Sequence, residues 1–330
     1  MNSDVICVGS SSVDVFVQTP FAAHLRRWKS GKRKDFQAYP VGSKILINNL
    51  LFSTGGGGTN TAVALSRLGL KTAFLGKMGA GANAFAISDE LKREKVISLA
   101  VCQKGGRTGY SIILDSIGHD RTILTAKGSN NDLQPGEIPW KKLHTLWFYF
   151  SSMLGRSFQA QKKIARFAAK KNIPIAYNIS GYLAKKGINF LKPILQHTTV
   201  FILNREEALL LTKKRTPEKA FKVLNGLGIK YIIITDGQHG ATAYHKHHSY
   251  RISAARIKVI ETTGAGDAFA ASFLAGMIKT KDIVFSLKLA KENAESVIQH
   301  HGAKNRLLTW KEAVKRVERN KSKVAIKKVL

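Results

Sequence analysis

The chain has 330 residues, with 53 lysines and arginines against 21 acidic residues and a formal net charge of +32. An apolar fraction of 44% is ordinary for a packed globule, and no apolar run approaches the ~20 residues that span a bilayer. No basic flank precedes the first apolar segment, and Cys7 and Cys102 form no spacing motif. We therefore expect a cytoplasmic globular protein with reduced thiols and no membrane association.

Strand and helix patterns alternate along most of the chain. Predicted strands cover residues 5–8, 72–75, 146–150, 173–177, 200–203 and 231–235, and predicted helices include 60–68 and 84–94. This alternation predicts an α/β fold, a doubly wound, mostly parallel sheet with helices on both faces, in a single domain over residues 1–330.

Two segments interrupt the alternation. Residues 15–54 are long and basic, with a period-two pattern at 44–50, and residues 108–126 have the pattern of a hairpin around a turn at 116–119. Strands without intervening helices predict a small second sheet beside the main one.

The positive charge is concentrated in two places. Six lysines and arginines lie within residues 26–34, and residues 304–328 carry ten basic residues with only Glu312 and Glu318. Such charge attracts polyanions, but no nucleic-acid-binding motif accompanies it and aromatic residues do not alternate with it. We expect a solvated basic surface, with residues 304–330 as a basic helical tail, and we regard nucleic-acid binding as the weaker interpretation.

A small-residue turn near the end of the chain carries the strongest chemical pattern. A β-branched run leads into Gly264, Ala265, Gly266 and Asp267, which open an apolar stretch. The first amides of a helix lack intrahelical partners, and glycines let an anion approach them. A carboxylate there could take a proton from a hydroxyl, which suits phosphoryl transfer to an alcohol. The alternative is a plain helix start with an acid in its first turn.

Four segments in order carry a family resemblance. They are Gly55, Gly56, Gly57, Gly58, Thr59 and Asn60 with the following residues 61–69; Asn204 to Glu207; Thr235 to Gly240; and residues 261–267. Together they resemble the PfkB-type, ribokinase-like carbohydrate kinases over about residues 4–303. The resemblance implies ATP and Mg²⁺ as cofactors, Asp267 as general base, and a β lid over the acceptor, here residues 15–54 and 108–126.

The resemblance also assigns the acceptor side of the site. Asp14 follows the first strand, where parallel sheets bind ligands, and would hold acceptor hydroxyls together with Asn60 and the glycines at 55–58. The alternatives are a solvated loop acid at Asp14, and a flexible linker with Thr59 as helix cap.

The nucleotide side follows in the same way. Thr235, Gly237 and Gly240 would line the nucleotide, although an ordinary turn explains them equally well. Asn204 and Glu207 share a face if the chain turns helical, and could position Mg²⁺ through water. The alternative for this pair is an exposed helix start.

Departures from the family pattern put K⁺ activation in doubt and leave the acceptor open, and one of them is the strand end at Ser151 and Ser152, where ribokinases proper have a Glu nearby. Glu261 replaces an Asp that helps to hold a monovalent cation, which argues against strong K⁺ activation; Ser12 and Gly57 replace an Asn and a Lys of ribokinases proper. We therefore predict transfer of the γ-phosphate of ATP to a primary hydroxyl of a sugar or sugar-like acceptor. A nucleoside kinase is the alternative in this family, and a basic nucleic-acid-binding protein on a kinase scaffold is the alternative of another class.

The predicted small sheet has two faces, of which only one can cover the acceptor. An open face and edge need a partner, so we predict a homodimer through the lid. The basic residues at 26–34 argue against it if they lie on that face, because like charges repel across a two-fold axis.

Overall fold

A computed structural model describes residues 2–18, 23–29, 32–115, 121–320 and 322–329. Within these residues the strands are β1 (Ser3–Val8), β2 (Ser12–Gln18), β3 (Ala23–Lys29), β4 (Lys32–Ala38), β5 (Asn49–Gly55), β6 (Thr72–Leu75), β7 (Lys77–Gly79), β8 (Ile97–Ser98), β9 (Val101–Gln103), β10 (Gly109–Asp115), β11 (Arg121–Ala126), β12 (Thr145–Phe150), β13 (Ile175–Asn178), β14 (Thr198–Asn204), β15 (Tyr231–Thr235), β16 (Ala241–His245), β17 (His248–Ile252) and β18 (Ala325–Lys328). The α-helices in the same residues are α1 (Gly57–Arg67), α2 (Ala82–Arg93), α3 (Gly155–Lys170), α4 (Gly181–Ala184), α5 (Ile188–Leu195), α6 (Arg205–Thr212), α7 (Pro217–Asn225), α8 (Ala265–Thr280), α9 (Ile283–Val297) and α10 (Trp310–Arg319).

The main sheet has ten strands in the order β18-β17-β16-β15-β14-β13-β12-β1-β6-β8. Neighbouring strands from β15 to β8 pair in parallel, and β16, β17 and β18 add antiparallel strands at one edge. The predicted α/β class with a mostly parallel sheet is confirmed.

Helices cover both faces of this sheet. Along β1, Val5 and Cys7 belong to one apolar core and Ile6 and Val8 to the other, because successive side chains of a strand point to opposite faces. The first core also contains residues of α1, α8, α9 and α10, and the second contains residues of α3, α5, α6 and α7.

The strand order reverses beside β1. From β1 the chain proceeds outward on one side to β6 and β8, and later returns to the other side of β1 with β12. In open parallel sheets, ligands bind in the crevice at the carboxyl ends of the strands where the order reverses. The crevice of this chain therefore lies beyond Val8 and Phe150, the last residues of β1 and β12.

A smaller sheet, which we call the β2 sheet, projects beside this crevice. Its strand order is β11-β10-β2-β5, so the predicted hairpin is present as β10 and β11, while the turn at 116–119 lies outside the described residues. The predicted strand at 44–50 is wrong. Among the described residues, the first contact of this segment with β2 is the Asn48 amide donating to Gln18 O at 2.8 Å, and β5 then runs Asn49–Gly55. The side chains of Leu46 and Ile47 are both exposed, so the alternation at these positions does not mark a buried face.

The segment predicted as a basic helical tail is helical only in part. Helix α10 starts with a capping box between Thr309 and Glu312, and the chain then pairs β18 with β17. Lys304, which the charge pattern assigned to a solvated surface, is buried instead. Among the described residues, no helix is long and apolar enough to cross a membrane.

Candidate active site

Helix α8 begins at the crevice with its small-residue turn. Gly264 has φ +79° and caps the helix, and its backbone packs so closely on the Ala303 carbonyl that an added Cβ would lie 2.4 Å from that oxygen. The Ala265 amide donates to Thr262 O at 3.3 Å. The amides of Gly266 and Asp267 have no acceptor among the described residues, so these two amides at the helix start are free to bind an anion.

Asp267 faces the start of α1. Its Oδ2 accepts a hydrogen bond from Asn60 Nδ2 at 2.8 Å, which joins the two glycine-rich helix starts across the crevice. The pKa of Asp267 is raised to about 6, mainly by burial and also by the nearby charge of Asp14, against the lowering effects of the Asn60 bond and of Lys304. A carboxylate with this pKa is ionised at neutral pH and basic enough to accept a proton.

Asp14 is buried on β2, and its Oδ1 accepts the Ser12 hydroxyl at 2.8 Å. Burial raises its pKa, whereas hydroxyl bonds from Ser12 and Ser111 and the charges of Lys304 and Lys127 lower it. Asp14 and Asp267, which are far apart in sequence, therefore lie in the same crevice.

The glycine run lines the floor between these two carboxylates. A Cβ on Gly55 would lie 1.9 Å from Asp14 Oδ2, and one on Gly57 would lie 3.6 Å from Asp267 Oδ1. Gly56 has φ +102°, and Gly58 packs against the backbone of Gly9. The run is thus shaped by close approach and backbone conformation, and it is not a flexible linker.

Asn204 and Glu207 form a reciprocal capping box at the start of helix α6. Asn204 Oδ1 accepts the Glu207 amide at 2.8 Å, and Glu207 Oε2 accepts the Asn204 amide at 2.9 Å. Burial raises the pKa of Glu207 to about 7. The described residues contain no cluster of three metal-ligating side chains, so a Mg²⁺ ion here would need phosphate oxygens and water as further ligands, as Mg²⁺ sites usually do.

The predicted nucleotide turn lies beside this capping pair. Thr235 is the register partner of Asn204 in the neighbouring strand, and Gly237 and Gly240 both have positive φ in the turn that follows. An added Cβ on Gly237 would meet nothing within 4 Å, whereas one on Gly240 would lie 2.0 Å from Ile252 O. Gly237 therefore borders open space, and Gly240 is required by packing.

Three residues of the crevice, Ser11, Ser151 and Lys304, were not predicted from the sequence as site residues. The hydroxyls of Ser11 and Ser151 are buried without a hydrogen-bond partner among the described residues, as is Asn60 Oδ1. Lys304 donates to Thr54 Oγ1 at 2.8 Å and also pairs with Glu90, and burial lowers its pKa. A serine after a strand gives no sequence signal, and the partners of Lys304 are too distant in sequence to be recognised.

Glu261 occupies the position where the family pattern has Asp. Its Oε2 accepts the Gly302 amide at 2.9 Å and lies 3.6 Å from His301 Nδ1, while Oε1 is buried with no hydrogen bond from any residue described. One carboxylate oxygen is thus already occupied by the protein.

A doubly wound sheet with free helix-start amides and a carboxylate at its crevice is typical of kinases for small-molecule alcohols. The chain belongs to the pfkB family carbohydrate kinases, whose family model matches residues 32–310.

Sequence relatives agree with this family. An uncharacterized sugar kinase from Archaeoglobus fulgidus is 29% identical over 251 residues, covering 74% of this chain and 98% of the relative. A 5-dehydro-2-deoxygluconokinase from Clostridium botulinum is 26% identical over 316 residues, covering 86% of this chain and 93% of the relative.

Solved structures share the fold. Arabidopsis thaliana ribokinase, complexed with ribose and ATP, has a TM-score of 0.81 at 21% identity and covers 96% of this chain and 99% of its own. A putative ribokinase II from E. coli with ATP and Mg²⁺ gives 0.79 at 18% identity, covering 96% and 100%. Sinorhizobium meliloti adenosine kinase gives 0.80 at 21% identity, covering 96% and 99%. The ribokinase-like fold prediction is confirmed.

Proposed function

We propose that the chain transfers the γ-phosphate of ATP to a primary hydroxyl of a sugar or sugar-like acceptor, with Asp267 as general base. The observation that carries the proposal is the position of Asp267, one residue beyond the free Gly266 amide and bonded to Asn60. An anion site and a base side by side are what in-line phosphoryl transfer to an alcohol requires.

The acceptor would lie between Asp267 and Asp14, over the glycine run. Asp14 would accept its hydroxyls, and the unpartnered hydroxyls of Ser11 and Ser151 offer further bonds. Asp267 would take the proton of the primary hydroxyl as its oxygen attacks phosphorus. Asn60 keeps the carboxylate of Asp267 in place and lowers its pKa.

ATP and Mg²⁺ are the cofactors of this proposal. Glu207, with Asn204, would position the ion through water, and Thr235, Gly237 and Gly240 would line the nucleotide. The bound ion would offset charge on the phosphates. The free amides of Gly266 and Asp267 would receive the transferred group, and the β2 sheet would act as a lid that excludes water as a competing acceptor.

The test is an ATP-turnover assay with a panel of sugars, sugar acids, sugar phosphates and nucleosides. Asp267→Asn should lower kcat by at least about 100-fold while ATP binding persists, since removing a general base costs about 10²–10⁴-fold. Asp89→Asn, at an exposed helix position paired with Arg93, is the matched control. Near-normal turnover by Asp267→Asn would refute the assignment.

The same panel addresses the acceptor and its carboxylate. Asp14→Ala should reduce use of the acceptor far more than use of ATP, because the acceptor hydroxyls lose a buried partner. If Asp14→Ala raises only the KM for ATP, Asp14 acts on ATP and not on the acceptor. Preferred turnover of nucleosides would favour the nucleoside-kinase alternative, which the adenosine kinase neighbour supports.

We also propose a homodimer through the β2 sheet. Leu124, Ile112 and Phe52 on one face, and Ile123 and Leu51 on the other, are exposed. An unpartnered apolar sheet of this kind is the surface that a second copy would cover. The structure does not describe the side chains of the basic residues at 26–34, so the effect of their charge on dimerisation stays a prediction.

Sedimentation at low and high salt tests the dimer. Phe52→Asp should produce a monomer, whereas Leu146→Asp, at an exposed apolar position on β12, should not. A wild-type monomer at both salt concentrations would remove the proposal, and a dimer only at high salt would implicate the basic residues.

We propose that this enzyme is cytoplasmic, in keeping with its two free cysteines. Nucleic-acid binding remains the weaker alternative, and tight binding that resists high salt would establish it.

A further inference from the structure

Lys127 lies at the acceptor end of the crevice. Strand β11 ends one residue before it, and within the β2 sheet Thr125 lies opposite Ser111, which lies opposite Asp14. Since alternate residues of a strand share a face, Lys127 leaves β11 on the side of the sheet that carries Asp14. The side chain is half-buried, so its charge is partly removed from water.

The ammonium of Lys127 points across the crevice. Its Nζ lies 5.4 Å from the centre of the Tyr182 ring, and Tyr182 belongs to α4, which follows the carboxyl end of β13 in the main sheet. A cation over an aromatic face is held by the ring, without being neutralised by it. Lys127 therefore links the end of β11 in the β2 sheet to helix α4, which follows a strand of the main sheet.

Within the described residues, Lys127 forms no ion pair with a carboxylate. Asp14 is near enough for the two charges to influence each other's pKa, but hydroxyl groups make the hydrogen bonds to that carboxylate. Lys304, the other cation that acts on Asp14, is already paired with Glu90 and bonded to Thr54. Of the two described cations that act on Asp14, Lys127 is thus the one whose donors no carboxylate occupies.

The charges follow an order along the crevice. They follow the strand order of the β2 sheet: β5 leads into the glycine run beside Asp267, β2 carries Asp14, and Lys127 follows β11 at the opposite edge. An acceptor whose primary hydroxyl reaches Asp267 and whose middle hydroxyls reach Asp14 would present its opposite end to Lys127.

We infer that the acceptor is an anionic sugar, with a carboxylate or phosphate at the end opposite the phosphorylated hydroxyl, and that Lys127 binds that anion. This inference rests on the proposed kinase activity and narrows its substrate class. The competing interpretation is that Lys127 serves only as a counter-charge for Asp14, in which case neutral sugars would bind equally well.

The experiment compares kcat/KM for anionic and neutral acceptors. The anionic probes are D-gluconate, D-galactonate and fructose 1-phosphate, which separate a carboxylate from a phosphate, and the neutral probes are D-ribose, D-fructose and adenosine. Wild-type enzyme should favour one anionic group over the neutral probes. Lys127→Gln should reduce kcat/KM for it about 10- to 100-fold, the usual effect of losing a charge-assisted bond, with little change for the neutral probes.

Two further variants keep the result interpretable. Lys127→Arg retains the charge and should preserve most of the preference for the anionic acceptor, and Lys104→Gln removes an exposed lysine before β10 as the matched control. An equal loss for all acceptors in Lys127→Gln, or a wild-type preference for a neutral probe, would overturn the inference while leaving the kinase proposal standing. Failure to phosphorylate any acceptor would instead refute the proposed function.

Discussion

Replacing Asn60 should move the pH dependence of the reaction in a calculable direction. Asn60 Nδ2 donates to Asp267 at 2.8 Å, and this bond favours the ionised carboxylate, whose pKa is about 6. A hydrogen bond to a charged group contributes about 1.5–3 kcal/mol, and one pKa unit corresponds to about 1.4 kcal/mol. Asn60→Ala should therefore raise the pKa of Asp267 by about 1–2 units.

The consequence appears in the acidic limb of kcat/KM, which reports ionisations of the free enzyme. At pH 7 the ionised fraction of Asp267 should fall from about 0.9 to between about 0.5 and 0.1, with a matching loss of activity. Raising the pH should restore most of it. Asn189→Ala, on the exposed side of α5, should leave the profile unchanged.

A loss that is the same at every pH would refute this reasoning. It would show that Asn60 acts mainly on the acceptor, as the sequence analysis proposed, and not through the carboxylate of Asp267. The measurement therefore separates a positioning role for Asn60 from a substrate-binding role.

Three further predictions concern the glycines at the start of α8, the stability of Asp267→Asn, and activation by K⁺. A Cβ on Gly266 meets nothing within 4 Å, so Gly266→Ala should fold normally and lose turnover by obstructing the phosphate, whereas Gly264→Ala should lower the melting temperature because φ is +79° and Ala303 O is too close; normal turnover by Gly266→Ala would remove the anion site. The folded-state pKa of Asp267, about 6 against 3.8, means that its ionisation opposes folding at neutral pH. Asp267→Asn should accordingly be more stable than wild type by roughly 1–3 kcal/mol in urea unfolding at pH 7.5, and this advantage should shrink as pH falls through the folded pKa toward the unfolded one; a less stable variant would contradict the direction of the shift. Because Glu261 replaces the family's Asp and one of its oxygens accepts a backbone amide, KCl and NaCl should support comparable rates, and strong activation by K⁺ would refute this.

The sequence predicted the parts of the fold whose signals are local. The apolar run at 72–75 coincides with β6, and the hairpin strands lie within β10 and β11. The strand predicted at 44–50 was wrong over most of its length because alternating side chains do not by themselves fix where a strand starts. The start also depends on the neighbouring strand, and β2 ends at Gln18, which pairs with Asn49.

The candidate site shows the same division. The glycine-rich turns could be predicted because backbone conformation and close approach demand glycine in the sequence itself. Lys304 could not, since its burial depends on Glu90 and Thr54, and a lysine among basic neighbours looks solvated until those partners are placed. The hydroxyl of Ser151 likewise becomes notable only when it is seen buried without a partner.

The way strand β18 is attached has a consequence for local unfolding of this protein. It pairs with β17, and the chain between these two adjacent strands includes α8, α9 and α10. The pairing of β17 with β18 therefore holds together the two ends of a long chain segment that contains α8, the helix carrying Asp267. All four side chains of β18 are exposed, so backbone hydrogen bonds contribute most of its attachment. In hydrogen exchange, the amides of β18 should exchange before those of α8, because the side chains of this edge strand are exposed whereas most of α8 is buried.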